Sequence, residues 1–245
     1  AIKIHRAVDS LVRRNVIVDT RYGSSIWLDG EIRNTRIAQN VCLQNSDCCW
    51  GQIFLEINEG PNMVDNNIMY GTRRFDWGGG IDPARGFHSH DAEKVIIAQN
   101  LIFDGEDEGI HIARGNPERT GRAFENDFRL YGNVIGAYRL LISVPNDTTR
   151  SDYNLFAAFR SQLAAAFVAD GEHPIGLEAW RHTERDRQAT VEPLLVRIDP
   201  HRLTLSVKAL SLTRLPEYEP PGELLPGLIC GREAFTLDLL SRERR

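Results

Sequence analysis

No apolar run in the 245 residues approaches the ~20 needed for a membrane-spanning helix, so no helix through a bilayer is expected. Cysteine is scarce: Cys42, Cys48 and Cys49 crowd together and Cys230 stands alone. That spacing is no disulfide framework, and it supplies too few ligands for a zinc site, so buried or reduced thiols are expected. A dominant charge is also lacking. The net charge of −5 is spread over mixed acidic and basic residues, which argues against nucleic-acid binding by broad phosphate neutralisation. There is no initiating Met and no signal peptide, and the chain opens directly on the strand-like Ile2-Lys3-Ile4-His5. The expectation is a cytoplasmic chain, and one that is a piece of something longer.

What is present is an ordinary globular composition, 42% hydrophobic and 26% charged, and a repeat. An asparagine followed by mostly apolar residues recurs as Asn15-Val16-Ile17, Asn40-Val41-Cys42, Asn67-Ile68-Met69, Asn100-Leu101-Ile102, Asn133-Val134-Ile135 and Asn154-Leu155-Phe156. The intervals are 25, 27, 33, 33 and 21 residues. Ahead of each lies a second strand-like phrase, at residues 2–5, 26–29, 53–56, 87–90, 110–113 and 140–143, with polar turn residues such as Asn34, Asn58, Gly60 and Asp91 between. Strands repeating at this period predict an all-β fold, a right-handed parallel β-helix (a solenoid), whose stacked coils bury one another's inward faces. The asparagines are assigned to architecture: they tolerate left-handed corners, and their amides can bond from coil to coil.

The longer intervals predict loops at residues 71–84 and 115–126, candidates for a binding face. Coils with a groove are expected over residues 1–160. Residues 161–245 are expected to form a closing coil, a short helix and C-terminal strands that cover the end of the solenoid. Within that tail, residues 163–168 and 177–187 read as helical and residues 191–197, 203–210 and 234–240 as strands, with a Pro-rich stretch at 216–226.

Alternation separates the two faces of the first phrases. With Ile2, Ile4, Ile26, Leu28, Ile53 and Leu55 inward, one outward column reads His5, Asp29, Glu56, His90, and the column beside it reads Lys3, Trp27, Phe54, His88, with His111 following. Adjacent parallel strands lie ~4.8 Å apart, so Asp29 and Glu56 are expected about 5 Å apart. That matches the ~5–5.5 Å of retaining glycosidases rather than the ~6.5–9.5 Å of inverting ones. Two carboxylates this close do not both ionise easily, and one is expected to serve as an acid. Trp27 and Phe54 would offer an exposed apolar wall to a sugar ring, and His5, His88, His90 and His111 would donate hydrogen bonds to hydroxyls. For His88-Ser89-His90-Asp91, hydroxyl binding or a surface role outweighs metal binding. Trp50, Trp77 and Trp180 read as core or loop anchors. No metal and no cofactor is expected.

The phrases Ser25-Ile26-Trp27-Leu28-Asp29 and Phe54-Leu55-Glu56-Ile57-Asn58-Glu59-Gly60-Pro61, running on to Val64-Asp65-Asn66-Asn67, resemble the β-helix glycosidases of the β-xylosidase type, glycoside hydrolase family 120. The resemblance is strongest over residues 1–70. It implies Asp29 as nucleophile, Glu56 as acid/base, and a carbohydrate substrate, with exo action on β-xylosides or related short oligosaccharides. Family members are longer, so the resemblance also implies an N-terminal β-helix portion of the same protein outside this chain; an oligomer is compatible with it. The family commonly has an aromatic residue where this chain has Gly30, and often His at Glu59. Two other readings stand beside it: a polysaccharide lyase, for which Lys3 is the nearest outward lysine, and a non-catalytic carbohydrate-binding module.

Overall fold

A computed structural model describes residues 1–48, 50–145 and 147–209. The strand expected at 234–240 and the Pro-rich stretch at 216–226 lie outside the described residues, as do Cys49 and Cys230. Short runs of β-branched and aliphatic residues form short strands, and these are gathered into three parallel sheets. The first sheet holds Ile2–His5, Ile26–Ile32, Ile53–Asn58, Arg85–Ala92, Glu108–Ile112, Leu140–Val144 and Phe167–Ala169. The second holds Leu11–Arg13, Thr35–Ala38, Asn62–Asp65, Val95–Ala98, Phe128–Tyr131 and Thr149–Asp152. The third holds Val16–Val18, Val41–Cys48, Ile68–Asp76, Leu101–Gly105, Val134–Gly136, Leu155–Ala157 and Thr190–Val191, with Ile81–Asp82 folded back antiparallel on Ile68–Asp76.

From Ile2 to Ala157 the chain visits the sheets in one fixed order, first, second, third, and each new circuit pairs its strands with those laid down one circuit earlier; the last circuit, Phe167–Ala169 and Thr190–Val191, places no strand in the second sheet. The second sheet is more than the sequence reading provides for: that reading has two strand phrases per repeat with polar turn residues between them, and the structure has a third strand there. Its apolar residues Val12, Ile37, Val64, Ile97 and Leu130 face the same core as Ile26, Leu28, Ile53 and Leu55 of the first sheet and Cys42, Met69, Ile102 and Ile135 of the third. That core runs without interruption from Ala7 to Ala189. Cys42 and Cys48 are buried thiols, and burial pushes Cys42 up to about 12.

The asparagine column is a continuous amide ladder. From Asn15 through Asn40, Asn67, Asn100 and Asn133 to Asn154, the backbone N–H and the Nδ2 of each residue both donate to Oδ1 of the next, at 2.9–3.1 Å. One expectation is corrected. The left-handed residue at each corner is not the asparagine but the residue before it: Arg14, Gln39, Asn66, Gln99, Gly132 and Tyr153, with φ between 55° and 61°. Five of these carry a side chain, each at a cost of ~1–2 kcal/mol, which the amide bonds alongside offset.

The ladder ends on a buried acid. Asn154 Nδ2 donates to Asp186 Oδ1 at 2.8 Å, and Trp180 Nε1 and Ser151 Oγ donate to Asp186 Oδ2 at 2.8 and 2.7 Å. Burial raises Asp186 above the usual carboxylate range against these donors. The tail departs from expectation in four ways. Residues 163–168 divide between a 3-10 turn, Arg160–Ala165, and the strand Phe167–Ala169. The helix after Gly176 is shorter than expected, Leu177–His182. Among the described residues it is this helix that closes the core: Trp180 is fully buried and stacks on Phe167 at 5.2 Å. The hairpin of Leu194–Asp199 and Thr204–Ala209 instead packs Val196 and Val207 against Leu101, Phe103, Val134 and Leu155 on the outer face of the third sheet. No helix among the described residues is long and apolar enough to cross a membrane.

Candidate functional site

The outward face of the first sheet carries both expected columns in register. His5 pairs with Asp29, Asp29 with Glu56, and Glu56 with His90. Lys3 pairs with Trp27, Trp27 with Phe54, Phe54 with His88, and His88 with His111. Immediately after Asp29 the strand bulges through Gly30 and Glu31, both at positive φ.

This face is not open to water as an outward strand face would be. Phe54 is 1% exposed and His88 2%, which corrects the expectation of an exposed aromatic wall. The rings form a stack along the column. Trp27 lies 5.3 Å from Phe54, Phe54 lies 4.9 Å from His88, and His88 lies 4.9 Å from His111 with the imidazoles nearly parallel. Lys3 Nζ sits 3.2 Å from the Trp27 ring centroid, at the end of the stack. Trp50 covers the stack, lying parallel over His88 at 5.8 Å and over Phe54 at 6.4 Å while remaining 40% exposed. Its backbone takes φ 71°, and the following Gly51 has room for no side chain, because a Cβ there would meet His88 Cβ at 2.9 Å. Trp50 is therefore a wall of the site. Trp180 is the core anchor expected, and Trp77 is exposed at the end of its hairpin.

A cleft of about 490 Å³ opens over this stack, lined by Trp27, Trp50, Phe54, Glu56, Arg85, His88, His90, His111, Ala113 and Arg119. Six of the eight expected site residues line it: Trp27, Phe54, Glu56, His88, His90 and His111. Asp29 and His5 lie beside it, one and two strands further along the Glu56 column. Asp29 Oδ2 is held by Lys3 Nζ at 3.5 Å and His5 Nδ1 at 3.3 Å.

Glu56 is held from two sides. Trp27 Nε1 donates to Oε2 at 3.2 Å, and Arg119 Nη2 donates to Oε1. His90 Nε2 is 3.6 Å from Oε1. Arg119 comes from the loop at 115–126, on the short helix Pro117–Thr120, whose first turn is capped by Asn116 Oδ1. The loop leaves the fifth strand of the first sheet and reaches back over the fourth and third. It is pinned there by buried acids: Asn116 N–H donates to Asp91 Oδ1 at 2.6 Å, and Glu125 N–H to Glu93 Oε2 at 2.6 Å. Arg122 adds a bond to Asn58 O at 3.0 Å and an ion pair with Glu93 at 3.2 Å. Burial opposes the charge on Asp91, but the Asn116 N–H, His90 and Arg119 outweigh it and hold its carboxyl below the usual range.

The far wall is an uncharged imidazole pair beside an ion pair. His88 and His111 share one proton between their Nδ1 atoms at 3.0 Å. Burial, helped by His111, Arg85 and His90, pushes His88 well below the ordinary histidine value; burial, Arg85 and His90 bring His111 to about 3. Arg85 Nε donates to Glu108 Oε2. Inside this wall His88 Nε2 and Arg85 Nη1 are buried without a protein partner.

Sequence reading missed Arg119, Arg85 and Glu108 as parts of the site, named Asp91 only as a turn residue and within the phrase His88-Ser89-His90-Asp91, and set Trp50 aside as an anchor. The one available signal was the long interval that implied a loop at 115–126. Comparison with protein-family models, with curated proteins and with solved structures finds no match for this chain.

Proposed function

We propose that the three sheets are the faces of a right-handed parallel β-helix, and that the chain is a retaining, exo-acting glycosidase. Its substrates are β-xylosides or related short, uncharged oligosaccharides, as in the glycosidases of glycoside hydrolase family 120 that its Trp-Leu-Asp and Glu-Ile-Asn-Glu-Gly-Pro phrases resemble. The fixed order of visits to the sheets supports the solenoid, and the handedness follows from the strong right-handed bias of parallel crossovers. The observation that carries the activity is the register of Asp29 with Glu56 on adjacent parallel strands, beside a cleft walled by aromatic rings and imidazoles. A strand spacing of about 4.8 Å suits the ~5–5.5 Å separation of double displacement.

In that chemistry Asp29 attacks the anomeric carbon as the glycosidic C–O bond breaks, and Glu56 gives its proton to the departing oxygen. Water then adds to the anomeric carbon as the bond to Asp29 breaks, and its proton returns to Glu56. Trp27, Phe54 and Trp50 supply apolar surface for a sugar ring. Charge favours a neutral substrate over the uronates that a lyase takes. Lys3, Arg85 and Arg119 are each in contact with a carboxylate, and four acids, Asp29, Glu56, Asp91 and Glu108, face those three cations. An anionic sugar would have to compete with a carboxylate already paired to each of these cations.

Asp29→Ala tests the assignment. The rate on an aryl β-xyloside falls on the order of 10⁴-fold, and added azide restores turnover with a glycosyl azide of opposite anomeric configuration as product. A wild-type rate in the variant removes Asp29 as nucleophile. One observation favours the binding-module reading: the cleft is lined by Glu56, Trp50 and the histidines and leaves Asp29 at its side. Sugar binding without turnover, unchanged in Glu56→Gln, would establish it.

A further inference from the structure

Resting on the glycosidase reading, we propose that Arg119 is the positioning residue of the acid/base. It orients the Glu56 carboxyl toward the leaving group and meets the carboxylate that forms as the proton departs. Three features carry this. First, Arg119 is the only arginine or lysine in contact with Glu56 among the described residues, and it bonds Oε1 while Trp27 bonds Oε2, so the carboxyl plane is fixed by two donors on different oxygens. Second, the guanidinium is itself fixed. Its other nitrogen, Nη1, bonds Asp91 Oδ2 at 2.5 Å and lies 3.0 Å from His90 Nδ1. Third, its loop is anchored independently of Glu56, through Asn116 and Glu125 to the buried Asp91 and Glu93. A surface arginine making a chance ion pair would need none of this, and exposed pairs hold little energy. Each carboxylate oxygen retains a second lone pair, so the two donors leave a site for the transferable proton.

The reaction makes the role measurable. Departure of a poor leaving group needs the acid; departure of dinitrophenolate does not. The full chain and its Arg119→Ala, Arg119→Lys and Glu56→Gln variants are assayed on 2,4-dinitrophenyl β-xyloside and on xylobiose, with kcat and KM resolved in both. In single turnovers of Arg119→Ala, the rate of the first chemical step on xylobiose falls about 100-fold, while that on the dinitrophenyl glycoside stays within about fivefold, the same pattern as Glu56→Gln. Arg119→Lys restores part of the xylobiose rate. Arg122→Ala, which removes a loop anchor without touching Glu56, leaves the ratio of the two rates unchanged, and thermal unfolding confirms that each variant is folded. An equal fall on both substrates, or a fall confined to KM, overturns the proposal while leaving the glycosidase intact. A wild-type chain inert on both glycosides overturns the glycosidase reading and Arg119's role with it.

Discussion

The amide ladder makes a quantitative prediction about what holds the circuits together. Asn100 lies in the middle of it, buried, with four side-chain hydrogen bonds. Oδ1 accepts from Asn67 N–H and Nδ2 at 2.9 and 3.0 Å, and Nδ2 donates to Val64 O and Asn133 Oδ1 at 3.0 Å each. In Asn100→Ala, Asn67 Nδ2 keeps its bond to Ile37 O and Asn133 Oδ1 keeps the Asn100 backbone N–H. The Asn67 backbone N–H loses its partner, at about 1–3 kcal/mol for a buried orphan. With the remaining lost bonds, and with Gln99 still held at φ 55° beside the gap, the total is about 3–5 kcal/mol. Asn15, at the other end, only donates, to Asn40 Oδ1 and Arg13 O, and Asn40 Oδ1 keeps the Asn15 backbone N–H when the side chain is removed. Asn15→Ala therefore costs about 1 kcal/mol. Urea unfolding followed by circular dichroism and tryptophan fluorescence reads the difference. With a slope of about 3 kcal/mol/M, the Asn100→Ala midpoint falls by about 1 M or more and that of Asn15→Ala by about a third of that. Equal shifts would mean that the ladder stabilises only by packing, and that bond satisfaction along it counts for nothing.

Two further expectations concern pH. Because His88 and His111 are held far below 6.5, their imidazole NMR signals do not move between pH 5 and 8; as pH falls through 6.5 the unfolded chain takes up protons that the folded chain refuses, so the pair makes the fold less stable toward acid. A histidine titrating near 6.5 at either position would refute the burial argument. Asp91 is shifted down, so its contribution is complete above the ordinary 3.8 and is lost as pH falls through its lowered folded value. Wild type is accordingly more stable than Asp91→Asn at neutral pH and the two converge below about 3.8; a gap that is the same at pH 3 and pH 7 would exclude the Arg119 and Asn116 contacts as its origin.

Much of the site's geometry was legible in the chain because a strand has period two and parallel neighbours align residue to residue. Ile26-Trp27-Leu28-Asp29 and Ile53-Phe54-Leu55-Glu56 share one phase, so the register that sets Asp29 beside Glu56 could be read before any coordinates. The second sheet was less legible. Leu11–Arg13 and Thr35–Ala38 are three and four residues long, and polar corners on both sides hide their alternation.

The spacing of the asparagines and the alternation of apolar residues alone determined that strands stack in parallel and which side chains share a column, because both are local rules repeated at each circuit. Only the tertiary structure decided what lies over that column. Arg119 and Trp50 arrive from loops outside the repeat, and their partners are chosen by charge and ring contacts that exist only after the circuits have stacked. Whether Glu56 faces water or a guanidinium is therefore a property of the folded chain.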